Sequence, residues 1–137
     1  MATHTGTILQ AIKTVIDGLT PGNQASSGDV FRCMVGFVEA TRAPADRTVE
    51  LVGYGSKRVK ECSEYDTQII ITVYYNATPS SMVNACQDAD QIIEALQSWA
   101  STNDINVDYI DHDMAIPTSF DGVFTMTRAI SAHYRGV

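Results

Sequence analysis

The segment YDTQIIITVYYN, residues 65–76, decides the fold. It is dense in β-branched and aromatic residues, which fit the pleated, half-buried surface of a strand. Side chains two positions apart lie on the same face of a strand, so one face carries Ile69, Ile71, Val73 and Tyr75. We therefore predict a strand at the centre of a sheet.

Four other segments have the character of strands. Before the central segment lie VFRCMVGFV, residues 30–38, and RTVELVGYG, residues 47–55. After it lie INVDYIDHDMAIP, residues 105–117, and GVFTMTRAISAHY, residues 122–134. In the first and the last of these four segments, apolar residues recur at alternate positions, which predicts strands with one buried face. The residues predicted for those buried faces are Phe31, Cys33, Val35, Phe37, Phe124, Met126, Ile130, Ala132 and Tyr134.

Two segments have the residue spacing of amphipathic helices. The first lies between Thr5 and Leu19, and the polar run after it predicts an exposed loop from Thr20 to Gly28. The second, of about six turns, follows Thr78, a capping residue with a proline after it. The apolar stripes comprise Ile8, Ala11, Ile12, Val15, Ile16 and Leu19 in the first helix, and Met82, Cys86, Ala89, Ile92, Ile93, Leu96 and Trp99 in the second.

The order of the elements is helix, three strands, helix, two strands. An amphipathic helix and a half-buried sheet must each cover an apolar face, and they do so most simply by packing on one another. We therefore predict an α+β fold, in which both helices pack on one face of a mostly antiparallel sheet. The 137 residues are enough for one core, so residues 1–137 are expected to form a single domain.

The composition excludes several classes of protein. The three cysteines, Cys33, Cys62 and Cys86, are widely spaced and contain no Cys-x-x-Cys pair, which favours a reducing cytosol over a disulfide framework or a zinc knuckle. No apolar run approaches the ~20 residues of a membrane span. The first ten residues lack the features of a signal peptide. We expect a soluble protein that stays in the cell that makes it, with no cofactor and no membrane partner.

The charge is unevenly distributed along the chain. The net charge is −7, and five aspartates but no lysine or arginine lie between Asp104 and Asp121. An acidic surface repels phosphate, so tight nucleic-acid binding is not expected. Basic residues gather instead in the cluster Arg42, Arg47, Lys57, Arg58 and Lys60. We predict a polarised surface, although a solvated loop would explain the same cluster.

The segment Tyr109-Ile110-Asp111-His112-Asp113 is the strongest candidate for chemistry. Two carboxylates around an imidazole are the residue types of a metal site or a proton relay. On a strand, however, neighbouring side chains diverge, so the three groups do not converge on one ion. The apolar residues also change register within this segment, which predicts a β-bulge near Tyr109. We favour a structural role, with a small metal-dependent hydrolase as the alternative.

The remaining motifs do not form a catalytic group. The stretch VGYGSKRVK lacks the spacing of a phosphate-binding loop, and its glycines, Gly53 and Gly55, are expected to loosen or turn a hairpin. Arg128 lies in an apolar register, where it either pairs with an acidic group of a neighbouring subunit or extends its charge to water from the end of the sheet. We therefore expect a protein that is not an enzyme.

A resemblance to a known family rests on three segments together. They are the opening helix TILQAIKTVIDGL, the strand FRCMVGFVEATR, and YDTQIIITVYYN running into DADQIIEALQSW. In these segments, and in the length and order of its elements, the chain resembles the tail terminator proteins of tailed bacteriophages. The resemblance covers nearly the whole chain. Another head-to-tail joining or neck protein on a related plan is the alternative.

The resemblance implies a virion structural protein of the tail or neck that is assembled in the host cytoplasm. Six copies would form a ring that caps the tail tube and offers a surface to the head connector or stopper protein, and to a sheath protein if the tail is contractile. DNA would pass through without tight binding. On this interpretation the protein contacts are expected at Arg42, Arg47, Lys57, Arg58, Lys60 and Arg128. The acidic residues expected to face the pore or a neighbour are Asp104, Asp108, Asp111 and Asp113.

Overall fold

The computed structural model describes residues 4–22, 30–36, 46–59, 64–76, 81–103, 106–111, 115–117 and 122–135. It contains two helices, α1 (His4–Asp17) and α2 (Ser81–Thr102). The strands are β1 (Arg32–Val35), β2 (Thr48–Val59), β3 (Glu64–Asn76), β4 (Asn106–Asp111), β5 (Ala115–Pro117) and β6 (Val123–Arg135). The predicted α+β class and order are confirmed, with one difference: the strand predicted over residues 105–117 is described as two segments, β4 and β5.

All six strands belong to one sheet. Its order is β1-β2-β3-β6-β4, and β5 also pairs with β6. Strand β1 runs parallel to β2, while every other pair is antiparallel. The prediction that β3 is central is confirmed, because β3 is hydrogen-bonded to β2 on one side and to β6 along its whole length on the other.

The two faces of β3 differ sharply in burial. Ile69, Ile71, Val73 and Tyr75 are buried, whereas the side chains between them are half-buried. Residues of both helices belong to the same apolar core as these four side chains. Both helices therefore pack on one face, as predicted, because only that face offers an apolar surface wide enough to cover them.

The predicted apolar stripe of α1 is confirmed at Ile8, Ile12 and Ile16, whereas its other members, Ala11, Val15 and Leu19, are half-buried and Leu9 is buried although it was not predicted. Ile12 and Ile16 are fully buried, and Ile8 and Leu9 are nearly so. Burial of one large aliphatic side chain stabilises a fold by about 1.5–3 kcal/mol, so these four residues hold α1 against the sheet.

The predicted stripe of α2 is confirmed at Ala89, Ile92, Ile93 and Leu96, but not near the start of the helix. Cys86, predicted on the apolar face, is exposed. Ala85 and Asp88 are fully buried in its place. The prediction for Cys86 was wrong because it followed the larger apolar residue, whereas the side chain buried at this point of the helix is that of alanine. The burial of Asp88 has a separate cause, described below.

The segment after α1 is only partly the exposed loop that was predicted. Thr20 and Gly22 are exposed, but Pro21 is buried. The side-chain amide of Gln91 on α2 fixes this turn, because it accepts a hydrogen bond from the Gly22 N–H at 3.0 Å and donates one to the Thr20 carbonyl at 2.6 Å. The rest of the predicted loop, residues 23–28, lies outside the described residues.

Strand β1 is shorter than predicted and its inner face is only partly covered. Phe31 and Cys33 are buried as expected, but Val35 is 37 % exposed. Val35 was predicted to be buried, and it is not, because β1 lies at the edge of the sheet. Phe37 falls outside the described residues.

Two irregularities in the sheet match features of the sequence. The ladder between β4 and β6 shifts register between Tyr109 and Asp111, which confirms the predicted bulge. The ladder between β2 and β3 shifts between Gly53 and Ser56, so the glycines mark a bulge within β2. Strand β2 continues past this point to Val59, so no helix follows the glycines as a phosphate-binding loop requires.

Replacement of Ile12 by aspartate tests the packing of α1. The side chain at this position is fully buried, so an unpaired charge would be forced into the core, and we expect a loss of about 3–5 kcal/mol in the free energy of unfolding. Urea unfolding followed by circular dichroism measures it. The control is Gln10→Asp on the exposed side of the same helix, which is expected to change stability by less than about 0.5 kcal/mol. Equal losses in both variants would contradict this packing.

Candidate functional site

The Asp-His-Asp segment is described only in part. Asp111 ends β4 and lies opposite Ala129 in the ladder to β6. His112 and Asp113 lie outside the described residues, as does Asp104. The backbone of Asp108 is in β4, opposite Ser131. Within the described part of the chain, no group of three or more histidine, cysteine or acidic residues is placed to hold a metal ion.

The structure describes the predicted basic cluster only in part. Lys57 and Arg58 lie in β2, where the ladder sets them opposite Asp66 and Tyr65 of β3. Arg42 and Lys60 lie outside the described residues. The prediction that these residues mediate protein contacts therefore remains a prediction.

Arg47 does not belong to an exposed basic surface, and its prediction as a contact residue is wrong. It is 4 % exposed and lies in the turn immediately before β2. Its Nε atom donates a hydrogen bond to Oδ2 of Asp88 at 2.8 Å, across 41 positions of sequence. The guanidinium is drawn inward because a fully buried carboxylate of α2 compensates for its desolvation.

Tyr75 completes a buried polar network with this ion pair. Its hydroxyl donates to the same Oδ2 of Asp88 at 2.9 Å. The network therefore joins the turn before β2, the end of β3 and the middle of α2. Asp88 Oδ1 has no hydrogen-bond partner among the described residues.

Burial controls the ionisation of the network. It raises the pKa of Asp88 above its ordinary value, and the hydrogen bonds from Arg47 and Tyr75 reverse only part of that effect. Burial, with the adjacent Asp88 carboxylate, also raises the pKa of the Tyr75 hydroxyl. Burial acts to lower the pKa of Arg47, but Asp88 outweighs it and the net direction is upward. Both shifts favour a charged arginine and a protonated tyrosine at neutral pH.

The backbone of Arg47 is as constrained as its side chain. Its φ angle is 58°, in the left-handed region that residues other than glycine adopt uncommonly. Its N–H donates to the Tyr74 carbonyl at 2.7 Å, and its carbonyl accepts from the Arg32 N–H at 3.0 Å. A single residue thus bonds to β1, β3 and α2, and these contacts hold the unfavourable backbone conformation in place.

This network is built for structure and not for reaction. Arg47, Tyr75 and Asp88 are 4 %, 2 % and 0 % exposed, so a substrate in solution reaches none of them. The sequence offered one indication of this network, namely Asp88, which falls between Ala85 and Ile92 in the buried stripe of α2. Nothing in the local pattern identifies its partner, which is distant along the chain.

Arg128 occupies the register predicted for it. It lies opposite Ile71 in the ladder between β3 and β6, and its side chain is partly buried. The guanidinium lies against its own strand, 3.4 Å from the sulfur of Met126 and 3.3 Å from the carbonyl of Thr127. The predicted contact with a neighbouring subunit remains a prediction.

Exposed apolar side chains concentrate at the β1 edge of the sheet. Val30, Met34 and Val35 are 44 %, 38 % and 37 % exposed. The other large apolar side chain described as exposed is Val83, on α2. Clusters of this kind mark interaction surfaces more often than isolated apolar residues do.

The helices and the sequence comparisons add little about function. Neither α1 nor α2, as far as each is described, is long and apolar enough to span a membrane. The chain matches no family model and no curated protein.

Replacement of Asp88 by asparagine tests the buried network. The change leaves a buried guanidinium without a counter-charge, and we expect a loss of about 3–5 kcal/mol in the free energy of unfolding. Tyr75→Phe removes one hydrogen bond to the carboxylate and should cost only about 1.5–3 kcal/mol. Denaturant unfolding measures both.

A double-mutant cycle provides the control. The double variant Arg47→Met with Asp88→Leu removes both charges, so its loss should be well below the sum of the losses in the two single variants. Additive losses would show that the two side chains do not interact in the folded protein.

The cysteines should differ in reactivity. Burial, with a smaller effect from the nearby Asp17, raises the pKa of the Cys33 thiol to about 12. The reactive species is the thiolate, so folded Cys33 should resist iodoacetamide at pH 8 while the exposed Cys86 is alkylated. Peptide mapping by mass spectrometry compares the two rates, with urea-unfolded protein as the control in which both should react. Equal labelling in the folded protein would contradict the burial of Cys33.

Proposed function

We propose that this chain is a structural tail terminator of a tailed bacteriophage, which forms a ring on the finished tail tube and offers a docking surface to the head connector. The proposal starts from the resemblance of the three quoted segments. The observed order of helices and strands supports it, since that order agrees with the resemblance.

One observation carries the proposal beyond the resemblance. The strongest polar network among the described residues, Arg47–Asp88–Tyr75, is sealed in the core, while apolar side chains are exposed along one edge of the sheet. An enzyme needs reactive groups that a substrate can reach. A capping protein needs complementary surfaces, because occupation of the tube's growing face is enough to exclude the next tube subunit.

The distribution of charge supports a closed ring. A ring joins two different patches of identical subunits, so a subunit gains from surfaces of opposite character. Five of the eleven aspartates of this chain lie between Asp104 and Asp121, a segment without lysine or arginine, while Lys57, Arg58 and Lys60 lie together at the end of β2 and just after it in the sequence. An acidic lining would also let DNA pass without binding it tightly.

Electron microscopy of the purified protein with its tube subunits tests the function. We expect added protein to arrest tube growth, so that tubes become shorter and one end carries a ring. Tubes of unchanged length without added density at their ends would contradict the proposal. Binding to the portal side alone would indicate a different neck protein.

Charge reversal tests the basic segment within the same assay. The variant Lys57→Glu, Arg58→Glu, Lys60→Glu should lose capping or ring formation if these residues make protein contacts. The control is Asp90→Lys with Glu94→Lys, which reverses charge on the exposed side of α2. Intact capping by the first variant would show that the basic segment has no role in assembly.

A further inference from the structure

The outer edge of β1 has backbone groups available to another strand. The N–H groups of Arg32 and Gly36 donate to carbonyls in and just before β2. In a parallel ladder, alternate residues point their N–H groups to opposite sides. Cys33 and Val35 therefore direct theirs away from β2. In the part of the chain that the structure describes, no strand lies beyond β1.

One of these two donors is already engaged. Asp17, the last residue of α1, accepts from the Cys33 N–H in a long contact of 3.4 Å. Its other carboxylate oxygen is bound by Lys13. This side-chain contact covers the start of the edge, whereas Val35 lies beyond it.

The described edge has only part of the usual protection against strand addition, since β1 is four residues long and carries the exposed Arg32. Natural edge strands are commonly blunted by lysine, proline or a bulge. Strand β1, with the sequence RCMV, contains none of these. Three of its residues and neighbours, Val30, Met34 and Val35, also expose apolar side chains to water. A sheet edge with exposed apolar side chains and a backbone N–H directed outward offers a template for strand addition.

The opposite edge of the same sheet is complementary. The described sheet ends there at β4, which carries Asp108 and Asp111. On β1 itself the one charged residue is Arg32, which is exposed. Opposite charges on the two edges favour contact between different edges of two copies over contact between like edges.

The strand directions also fit such a junction. Strand β1 runs with β2, β2 runs opposite to β3, β3 opposite to β6, and β6 opposite to β4. Strands β1 and β4 thus run in opposite directions. Rotation about a ring axis that lies along the strands keeps these directions, so β4 of one copy would meet β1 of the next as an antiparallel pair.

We propose that the β1 edge of one copy binds the β4 edge of a neighbouring copy, so that the sheet continues from subunit to subunit around the ring. The inference rests on the proposed function for the closure of the ring, and it assigns the contact that joins the subunits. The Val35 N–H donates across the junction, and Arg32 meets the aspartates of β4.

Proline at position 35 tests the junction directly. Val35→Pro removes an N–H that β2 does not use, and proline is tolerated on an edge strand in this orientation. The matched control is Val35→Thr, which keeps the N–H and the branched shape. Sedimentation velocity and native mass spectrometry measure self-association up to about 1 mM protein.

The two variants should differ clearly in self-association. We expect wild type and Val35→Thr to form rings, and Val35→Pro to require about tenfold more protein or more for half-assembly, with an unchanged circular dichroism spectrum. Assembly of Val35→Pro like wild type would overturn the proposal. A wild-type protein that stays monomeric throughout this range would overturn it as well.

A charge exchange gives a second, independent test. Arg32→Glu should weaken assembly, and the further changes Asp108→Lys and Asp111→Lys in the same chain should restore it, because the junction then has the opposite polarity. If the added changes do not restore assembly, Arg32 does not contact the aspartates of β4 across the junction. If rings form through this junction but do not arrest tube growth, the proposed interface is supported and the proposed function is contradicted.

Discussion

The ion pair between Arg47 and Asp88 is the contact on which the architecture depends. It joins a turn beside β1 to the centre of α2, and Tyr75 adds the end of β3 to the same carboxylate. The backbone of Arg47 bonds to two strands as well. Since a buried charge without its partner is strongly destabilising, this pair favours one relative position of α2 and the sheet at this point. The two edges of the sheet then keep a constant position relative to the helices.

The proposed ring requires that the core hold the two edges of the sheet in constant positions. A ring closes only if each subunit offers its two contact surfaces at a constant angle. The buried network holds the turn that begins β2 and accepts the first hydrogen bond from β1. The exposed edge of the sheet is thereby positioned from within, so assembly need not order it at the moment of contact, which lowers the entropic cost of association.

Local patterns predicted the parts of the fold that depend on local periodicity. Ile12 and Ile16 on α1, and Ile71 and Val73 on β3, are buried because their spacing matches the period of their element. The bulge after Tyr109 was visible as a change of register. The pairing of Arg47 with Asp88 had no such signal, because it depends on the topology that brings distant segments together. Cys86 was misplaced because alanine, the residue that is buried beside it, carries little apolar signal of its own.

The most direct test of the whole account is a side-chain-resolution electron microscopy structure of the protein bound to its tail tube. We predict a closed ring in which β1 of each copy lies antiparallel to β4 of the next, with Arg47 still bound to Asp88 inside every subunit. A bound ligand between Arg47 and Asp88, or subunits joined through surfaces that leave both sheet edges exposed to water, would contradict it.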